Sequence, residues 1–217
     1  RDFCLSRGLG DVYKRQEFKE FLNDIPQNKE KPTLLIHSCC GPCSSHVLAL
    51  LNQYFQITIF YYNPNIYPED EFQKRLKEQQ RLIKEMKLDI NIIEGIYEYD
   101  TYLKSIQGLE KNGERSKRCY NCYELRIMRT FEYAKKYHFD YYTTTLSISP
   151  YKNSEWINEI GFQYQNQNCK YLYSNFKKEN GYQHSIKLSQ EYNLYRQDYC
   201  GCEFSLFEHQ EILDKKQ

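Results

Sequence analysis

The stretch that decides the fold is LLIHSCCGPCSSHVLALL, residues 34–51. Its beginning belongs to an apolar run over 33–38 that predicts a buried strand, and its end belongs to a predicted helix over 44–54. Three cysteines, Cys39, Cys40 and Cys43, occupy the junction between them. A strand that passes into a helix through a short loop is typical of a parallel α/β sheet.

The remainder of the chain repeats this alternation. Further strands are predicted over 57–63, 89–95 and 140–146, with helices over about 69–87 and from near Cys119 to about His138. Asn153 or Ser154 can cap another helix. The pattern favours a Rossmann-like parallel sheet with helices on both faces, followed over 169–217 by a mostly helical C-terminal subregion.

Length and charge restrict the class of protein. The 217 residues suit one domain, placed at 17–217, while segment 1–16 begins without Met and is interpreted as a frayed, mis-assigned or non-native extension. Cys4, in this extension, receives no role. With 30 Lys and Arg against 29 Asp and Glu, a nucleic-acid partner requires a local basic patch. We expect a cytoplasmic protein, because no apolar run approaches a membrane span or a signal peptide.

Cysteine spacing is the strongest chemical signal. In a reducing compartment, clustered cysteines indicate metal binding or redox catalysis. Cys119 and Cys122 lie three residues apart on the predicted helix that starts near residue 119, so their thiols face one side. The helix N-terminus favours the thiolate forms of both. Seven of the nine cysteines form three clusters, with Cys169 alone and Cys4 in the extension: Cys39, Cys40 and Cys43; Cys119 and Cys122; Cys200 and Cys202.

The number of thiols exceeds what one metal centre needs. Four thiolates suffice for an iron–sulfur cluster or a closed zinc site, so the surplus indicates a second metal or a redox dithiol. Cys200-Gly-Cys202 is too tight for a relaxed disulfide, and a strained one is easily reduced. One zinc site with three spare thiols is the alternative. Cys40-Gly-Pro-Cys43 is also the redox motif of thioredoxins, but the additional cysteines have no place in that mechanism.

Five blocks of sequence carry a resemblance to a known family. They are LLIHSCCGPCSS, FYYNPNIYPEDEFQKR, RCYNCYELRIMRT, FDYYTTTLSISPYKN and YNLYRQDYCGCEFS. Together, from about residue 32 to 206, they resemble the cobalamin-independent epoxyqueuosine reductases, the QueH family. The resemblance implies an adenine-nucleotide-hydrolase type of sheet. It also implies reduction of epoxyqueuosine to queuosine at the wobble position of tRNA, the last step of queuosine synthesis.

The resemblance further implies the cofactors and partners. A 4Fe–4S cluster is expected on Cys39, Cys40, Cys119 and Cys122. Cys200 and Cys202 match the family's redox-active pair. A second mononuclear metal, iron or zinc, is associated with the family, and Cys43 is its first candidate ligand. The expected partners are tRNA carrying epoxyqueuosine and an external electron donor.

Removal of the epoxide oxygen as water needs two electrons and two protons, so a proton donor must lie near the metal centre. The candidates are Tyr123, Asp198, Tyr199 and His37. Stacking of a flipped base would use Tyr120, Tyr123 or Tyr199. We expect phosphate contacts from basic side chains in or beside the five blocks, namely Arg115, Lys117, Arg118, Arg126, Lys152 and Arg196.

Two other functions compete with the reductase. An ATP-dependent tRNA thiolase of the PP-loop type needs a Gly-rich pyrophosphate loop after the first strand, but CCGPCSS offers one glycine and three thiols. A zinc-stapled RNA-binding module without catalysis would hold zinc and no iron.

Overall fold

A five-stranded parallel sheet organises the protein. The computed structural model describes residues 2–25 and 30–215, and their side chains from Tyr13 onward. The strands are β1 Thr33–His37, β2 Gln56–Tyr61, β3 Asn91–Glu94, β4 Tyr141–Thr144 and β5 Lys170–Tyr171, in the order β3-β2-β1-β4-β5. All neighbours pair in parallel. The predicted Rossmann-like α/β sheet is confirmed, because this is the strand order of Rossmann folds.

Helices connect the strands. They are α1 Asp2–Asp24, α2 Gly41–Leu51, α3 Glu69–Glu85, α4 Tyr99–Ser105, α5 Lys117–Lys136, α6 Ser154–Tyr164, α7 Gly181–Glu191 and α8 Glu203–Asp214. A 3₁₀ turn, Thr145–Ile148, follows β4 directly. No helix in the described ranges is long and apolar enough to cross a membrane.

The central strand β1 is buried on both faces, which is why its three middle residues are all apolar. Leu34 and Ile36 belong to one hydrophobic layer together with residues of α2 and α3. Leu35 points to the opposite layer, which contains residues of α5 and α6. All three are fully buried, and each such side chain stabilises the fold by about 1.5–3 kcal/mol relative to exposure. Cys169 is 2% exposed in the second layer.

Three local features differ from the sequence prediction or were absent from it. Helix α2 starts at Gly41, three residues early, because Cys40 is its extended N-cap and Pro42 fits the first turn. Helix α4 lies in a stretch without a recognisable motif. Strand β5 lies where helix was expected, since two residues show no periodicity. The main-chain bond from Lys170 N–H to the Asp140 carbonyl, 2.9 Å, places it beside β4.

The N-terminal segment is helical across the boundary predicted at residue 16, because α1 continues from Asp2 to Asp24. Phe18 and Phe21, in its second half, pack against the core. The side chain of Cys4 lies outside the described residues, and the native or non-native origin of 1–16 stays a prediction. At α6 the predicted cap is confirmed: the Asn153 Oδ1 accepts a bond from the Glu155 N–H at 2.9 Å.

Candidate metal and substrate site

A cleft of about 590 Å³ opens beyond the carboxyl ends of β1 and β4. Cys39 and Cys43 reach it from the β1–α2 junction, Lys152 from the loop after the 3₁₀ turn, and Cys119 from the first turn of α5. Cys200 reaches it from the segment that precedes α8. The loops after β1 and β4 therefore share one rim, as the carboxyl ends of neighbouring parallel strands do.

The tightest thiol group is Cys39, Cys40 and Cys43. Their sulfurs lie within 4.8 Å of one another, and those of Cys39 and Cys40 are 3.8 Å apart. Tetrahedral coordination with metal–sulfur bonds of about 2.3 Å separates the sulfurs by about 3.8 Å. This spacing fits thiolate ligands of a single ion. A cube of four irons needs its ligands further apart, because each thiolate binds a different iron.

The three thiols of this group shift one another's pKa values. The Cys40 and Cys43 thiols donate hydrogen bonds that keep the pKa of Cys39 well below its usual range. The pKa of Cys40 is raised to about 12, and that of Cys43 is also raised, first by the same contact with Cys39. A metal cation would be needed to make all three thiolates at neutral pH.

The second pair lies at the start of α5, with Cys119 on its first turn and Cys122 on its second, because the helix begins at Lys117, two residues earlier than predicted. The N-cap is Ser116, whose Oγ accepts the Arg118 N–H at 3.2 Å. Burial raises the pKa of Cys122 to about 12 and also raises that of Cys119, so desolvation outweighs the helix terminus that was expected to favour thiolate. Among the described residues, neither cysteine belongs to a group of three potential ligands as close as Cys39, Cys40 and Cys43.

The third pair is divided between cleft and interior. Cys200 lines the cleft, whereas Cys202 is 7% exposed and forms the N-cap of α8. Both are free thiols. Gly201 between them has φ +124°, a conformation that side chains rarely adopt, so the turn requires glycine.

Three buried or partly buried cations lie beside these thiols. The Lys152 Nζ lies 3.4 Å from the Cys200 Sγ. Arg75, 1% exposed, donates from Nη1 to the Cys200 carbonyl at 3.4 Å and from Nε to Glu71 at 2.7 Å. Arg126 is 2% exposed and donates from Nε to the Cys122 carbonyl at 3.1 Å, while its buried Nη2 has no hydrogen-bond partner among the described residues. Burial alone would lower the pKa of Lys152, but nearby thiolates, Cys200 first, raise it above its usual range.

The cations of the predicted phosphate-binding set differ in exposure. Arg118 and Arg126 are each 2% exposed and therefore present no guanidinium to a phosphate. Arg118 instead donates to Glu208 at 2.9 Å. Lys152 is partly buried and held by Cys200. Of the predicted cations, the exposed ones are Arg115, Lys117 and Arg196.

The four candidate proton donors occupy different environments. Tyr123 is 3% exposed in the cleft wall, and burial raises the pKa of its phenol. Asp198 is 75% exposed at the cleft and lies 3.3 Å from the His209 Nε2. The Tyr199 hydroxyl donates to the Tyr67 carbonyl at 2.8 Å.

His37 is fully buried outside the cleft lining, and burial lowers its pKa to about 3. Its ring nitrogens contact the Thr144 Oγ1 at 2.8 Å and the Tyr62 carbonyl at 3.1 Å, so it is a core residue. The stacking candidate Tyr120 contacts Trp156 edge-on and carries the Lys117 ammonium 3.8 Å above its ring.

Sequence reasoning missed Arg75 and Gln197. The Gln197 Nε2 donates to the Cys40 Sγ at 3.2 Å across 157 residues of chain. Neither residue type at its position signals such a contact, because a glutamine or arginine in a polar stretch is ordinarily a surface residue.

A family profile and three related proteins that match this chain all carry the same name. The family profile described as Epoxyqueuosine reductase QueH matches residues 34–208. A protein of that name from Staphylococcus epidermidis is 37% identical over 194 residues, 86% of this chain and 82% of the relative. Another from Streptococcus pyogenes is 38% identical over 180 residues, 81% of this chain and 71% of the relative. One from Thermotoga maritima is 36% identical over 184 residues, 82% of this chain and 93% of the relative.

Two solved structures show distant similarity. The U34-tRNA thiolase NcsA from Methanococcus maripaludis, with its [4Fe-4S] cluster, gives a TM-score of 0.49 at 11% identity, covering 94% of this chain and 74% of its own. NMN synthetase from Francisella tularensis gives 0.43 at 16% identity, covering 85% and 71%. Similarity at this level supports no functional argument.

Proposed function

Because the chain belongs to the epoxyqueuosine reductase QueH family, we propose that it reduces epoxyqueuosine to queuosine in tRNA, at the wobble position. The observation that carries the proposal is the convergence of three cysteine clusters on one cleft within the matched region 34–208. The reaction removes the epoxide oxygen as water and consumes two electrons and two protons.

The donor set suits a thiolate-bound metal centre. Cys39, Cys40, Cys119 and Cys122 are the proposed ligands of a 4Fe–4S cluster, which would supply single electrons to the cleft. Cys43 is the proposed ligand of a second ion, iron or zinc. The buried guanidinium of Arg126 favours such an arrangement, because it offsets the negative charge that thiolates bring into the interior.

The close spacing of Cys39, Cys40 and Cys43 supports a second ligand assignment, in which these three residues share the single ion. Individual Ala variants separate the assignments. Cys40→Ala loses sulfide and visible absorbance if Cys40 binds the cluster, whereas it keeps both and loses one metal if Cys40 binds the single ion. If Cys39, Cys40, Cys119 and Cys122 hold the cluster, Cys119→Ala loses sulfide and visible absorbance. Full cluster content in Cys119→Ala removes this residue from the ligand set.

Cys200 and Cys202 are the proposed electron store. Oxidation of two thiols to a disulfide releases two electrons and two protons, which equals the requirement of one turnover. An external reductant then restores the thiols. The Lys152 Nζ, 3.4 Å from the Cys200 Sγ, can donate a hydrogen bond to this sulfur.

Tyr123 is the proposed proton donor, with Asp198 as the alternative. Burial keeps the Tyr123 phenol protonated at the cleft wall, where it can donate to the oxygen released from the epoxide. For tRNA, the exposed cations Arg115, Lys117 and Arg196 are the proposed phosphate contacts.

The deciding experiment uses anaerobically purified protein, tRNA carrying epoxyqueuosine and a chemical reductant, with nucleosides measured by mass spectrometry. We expect queuosine to appear without ATP. ATP-dependent insertion of sulfur would instead establish a thiolase, and a colourless zinc protein that binds tRNA without turnover would establish an RNA-binding module.

A further inference from the structure

Gln197 connects the substrate cleft with one of the proposed cluster ligands. It lies in the cleft lining, and its Nε2 donates to the Cys40 Sγ at 3.2 Å. The other end of the same amide, Oε1, is buried and has no hydrogen-bond partner among the described residues. A metal-bound thiolate has no proton to donate, so only the NH₂ end of the amide can face it.

The two residues directly before Gln197 are each anchored to a helix, which restricts where its amide can lie. The preceding Tyr195 donates its main-chain N–H to the Glu78 carboxylate on α3 at 2.6 Å. Arg196 donates from Nη1 to the Ser189 Oγ on α7 at 3.0 Å. The contact with Cys40 is therefore held by the packing of α3 and α7 around the β1–α2 junction.

We propose that Gln197 is a positioning residue that sets the reduction potential of the metal centre through the Cys40 sulfur. A hydrogen bond to a ligand thiolate withdraws negative charge from the metal and stabilises the reduced, more negative state more than the oxidised one. The bond thus makes the centre easier to reduce. This inference rests on the proposed cofactor and on Cys40 as one of its ligands.

Two variants of Gln197 and one control test the inference. Gln197→Leu keeps the approximate size of the side chain and removes the donor, whereas Gln197→Glu also adds a negative charge. Gln190→Leu makes the same chemical change at an exposed position on α7. The midpoint potential of the anaerobically purified proteins is measured by redox titration with spectroscopic detection, together with iron and sulfide content.

We expect the potential to fall in the order wild type, Gln197→Leu, Gln197→Glu, while Gln190→Leu equals wild type. Loss of the bond should lower the equilibrium constant of one-electron reduction about tenfold, which is about 59 mV. Unchanged potentials in both Gln197 variants with normal iron and sulfide would overturn the inference. Failure of both variants to load metal would also overturn it, because Gln197 would then serve assembly and not tuning.

The outcomes also separate this inference from the proposed function. A wild-type protein without a reducible metal overturns both the cofactor and the role of Gln197. Potentials that shift in the expected order in a protein that leaves epoxyqueuosine unchanged would support Gln197 and refute only the reductase activity.

Discussion

Replacement of Arg126 by Met should weaken metal binding without weakening the fold. Its guanidinium is 2% exposed, its Nη2 has no partner among the described residues, and the nearest negative charges would be the thiolates of Cys122, Cys200 and Cys39. While Cys122 is protonated, as its pKa of about 12 indicates at neutral pH, the buried cation is only partly compensated. A Met of similar length is then neutral or stabilising.

In the metal-bound protein the Arg126 guanidinium becomes stabilising, because metal binding converts the surrounding thiols into thiolates. Removing one partner of a buried ion pair costs about 3–5 kcal/mol. At about 1.4 kcal/mol per factor of ten, Arg126→Met should lower metal affinity by roughly two to three and a half orders of magnitude. Chelator competition measures the affinity, and thermal unfolding of metal-free and metal-loaded protein measures the stability.

Arg129→Met is the matched control. Arg129 lies one turn further along α5, is 39% exposed and pairs with Glu132, so its loss should leave metal affinity unchanged. Equal chelator resistance of wild type and Arg126→Met would refute the reasoning. So would a loss of stability in Arg126→Met that is the same with and without metal, since it would assign the residue to the fold alone.

Three further predictions concern the dithiol, the partner and pH. Cys200→Ser and Cys202→Ser should each retain iron and sulfide but lose turnover; activity at the wild-type rate in either one excludes the electron store. The change of Arg115 and Lys117 to Ala should weaken tRNA binding and flatten the slope of log affinity against log salt by up to about 1.4. A filter-binding titration with the wild-type slope would place the RNA interface elsewhere. Burial lowers the pKa of His46 to about 4, so the folded protein keeps it neutral while the unfolded chain binds a proton below about pH 6.5. His46 therefore leaves the free energy of unfolding unchanged above this pH and should lower it by roughly 1 kcal/mol at pH 5, a value reduced for the partial exposure of the ring. Urea unfolding of His46→Leu should show a smaller decline between pH 7 and pH 5. An identical decline in the variant would exclude His46 as the cause.

The sequence by itself determined the sheet and the place of the site. A strand buried on both faces shows consecutive apolar residues and no alternation with polar ones, so 33–38 could be recognised from residues 34–36. Parallel strands bring their carboxyl ends to one edge, which is why Cys39 and Lys152 could be expected at one rim. The capping of α6 by Asn153 was equally predictable, because it depends on a bond within three residues.

Only the tertiary structure decided which charged and thiol groups meet. Arg118 and Arg126 looked like surface cations, but the packing of α5 buries them among thiols and a carboxylate partner. The bond between Gln197 and Cys40 joins segments 157 residues apart, a distance that no local pattern spans. The state of Cys122 also depended on the fold, because desolvation is set by the surrounding side chains and here outweighs the helix terminus on which the cysteine lies.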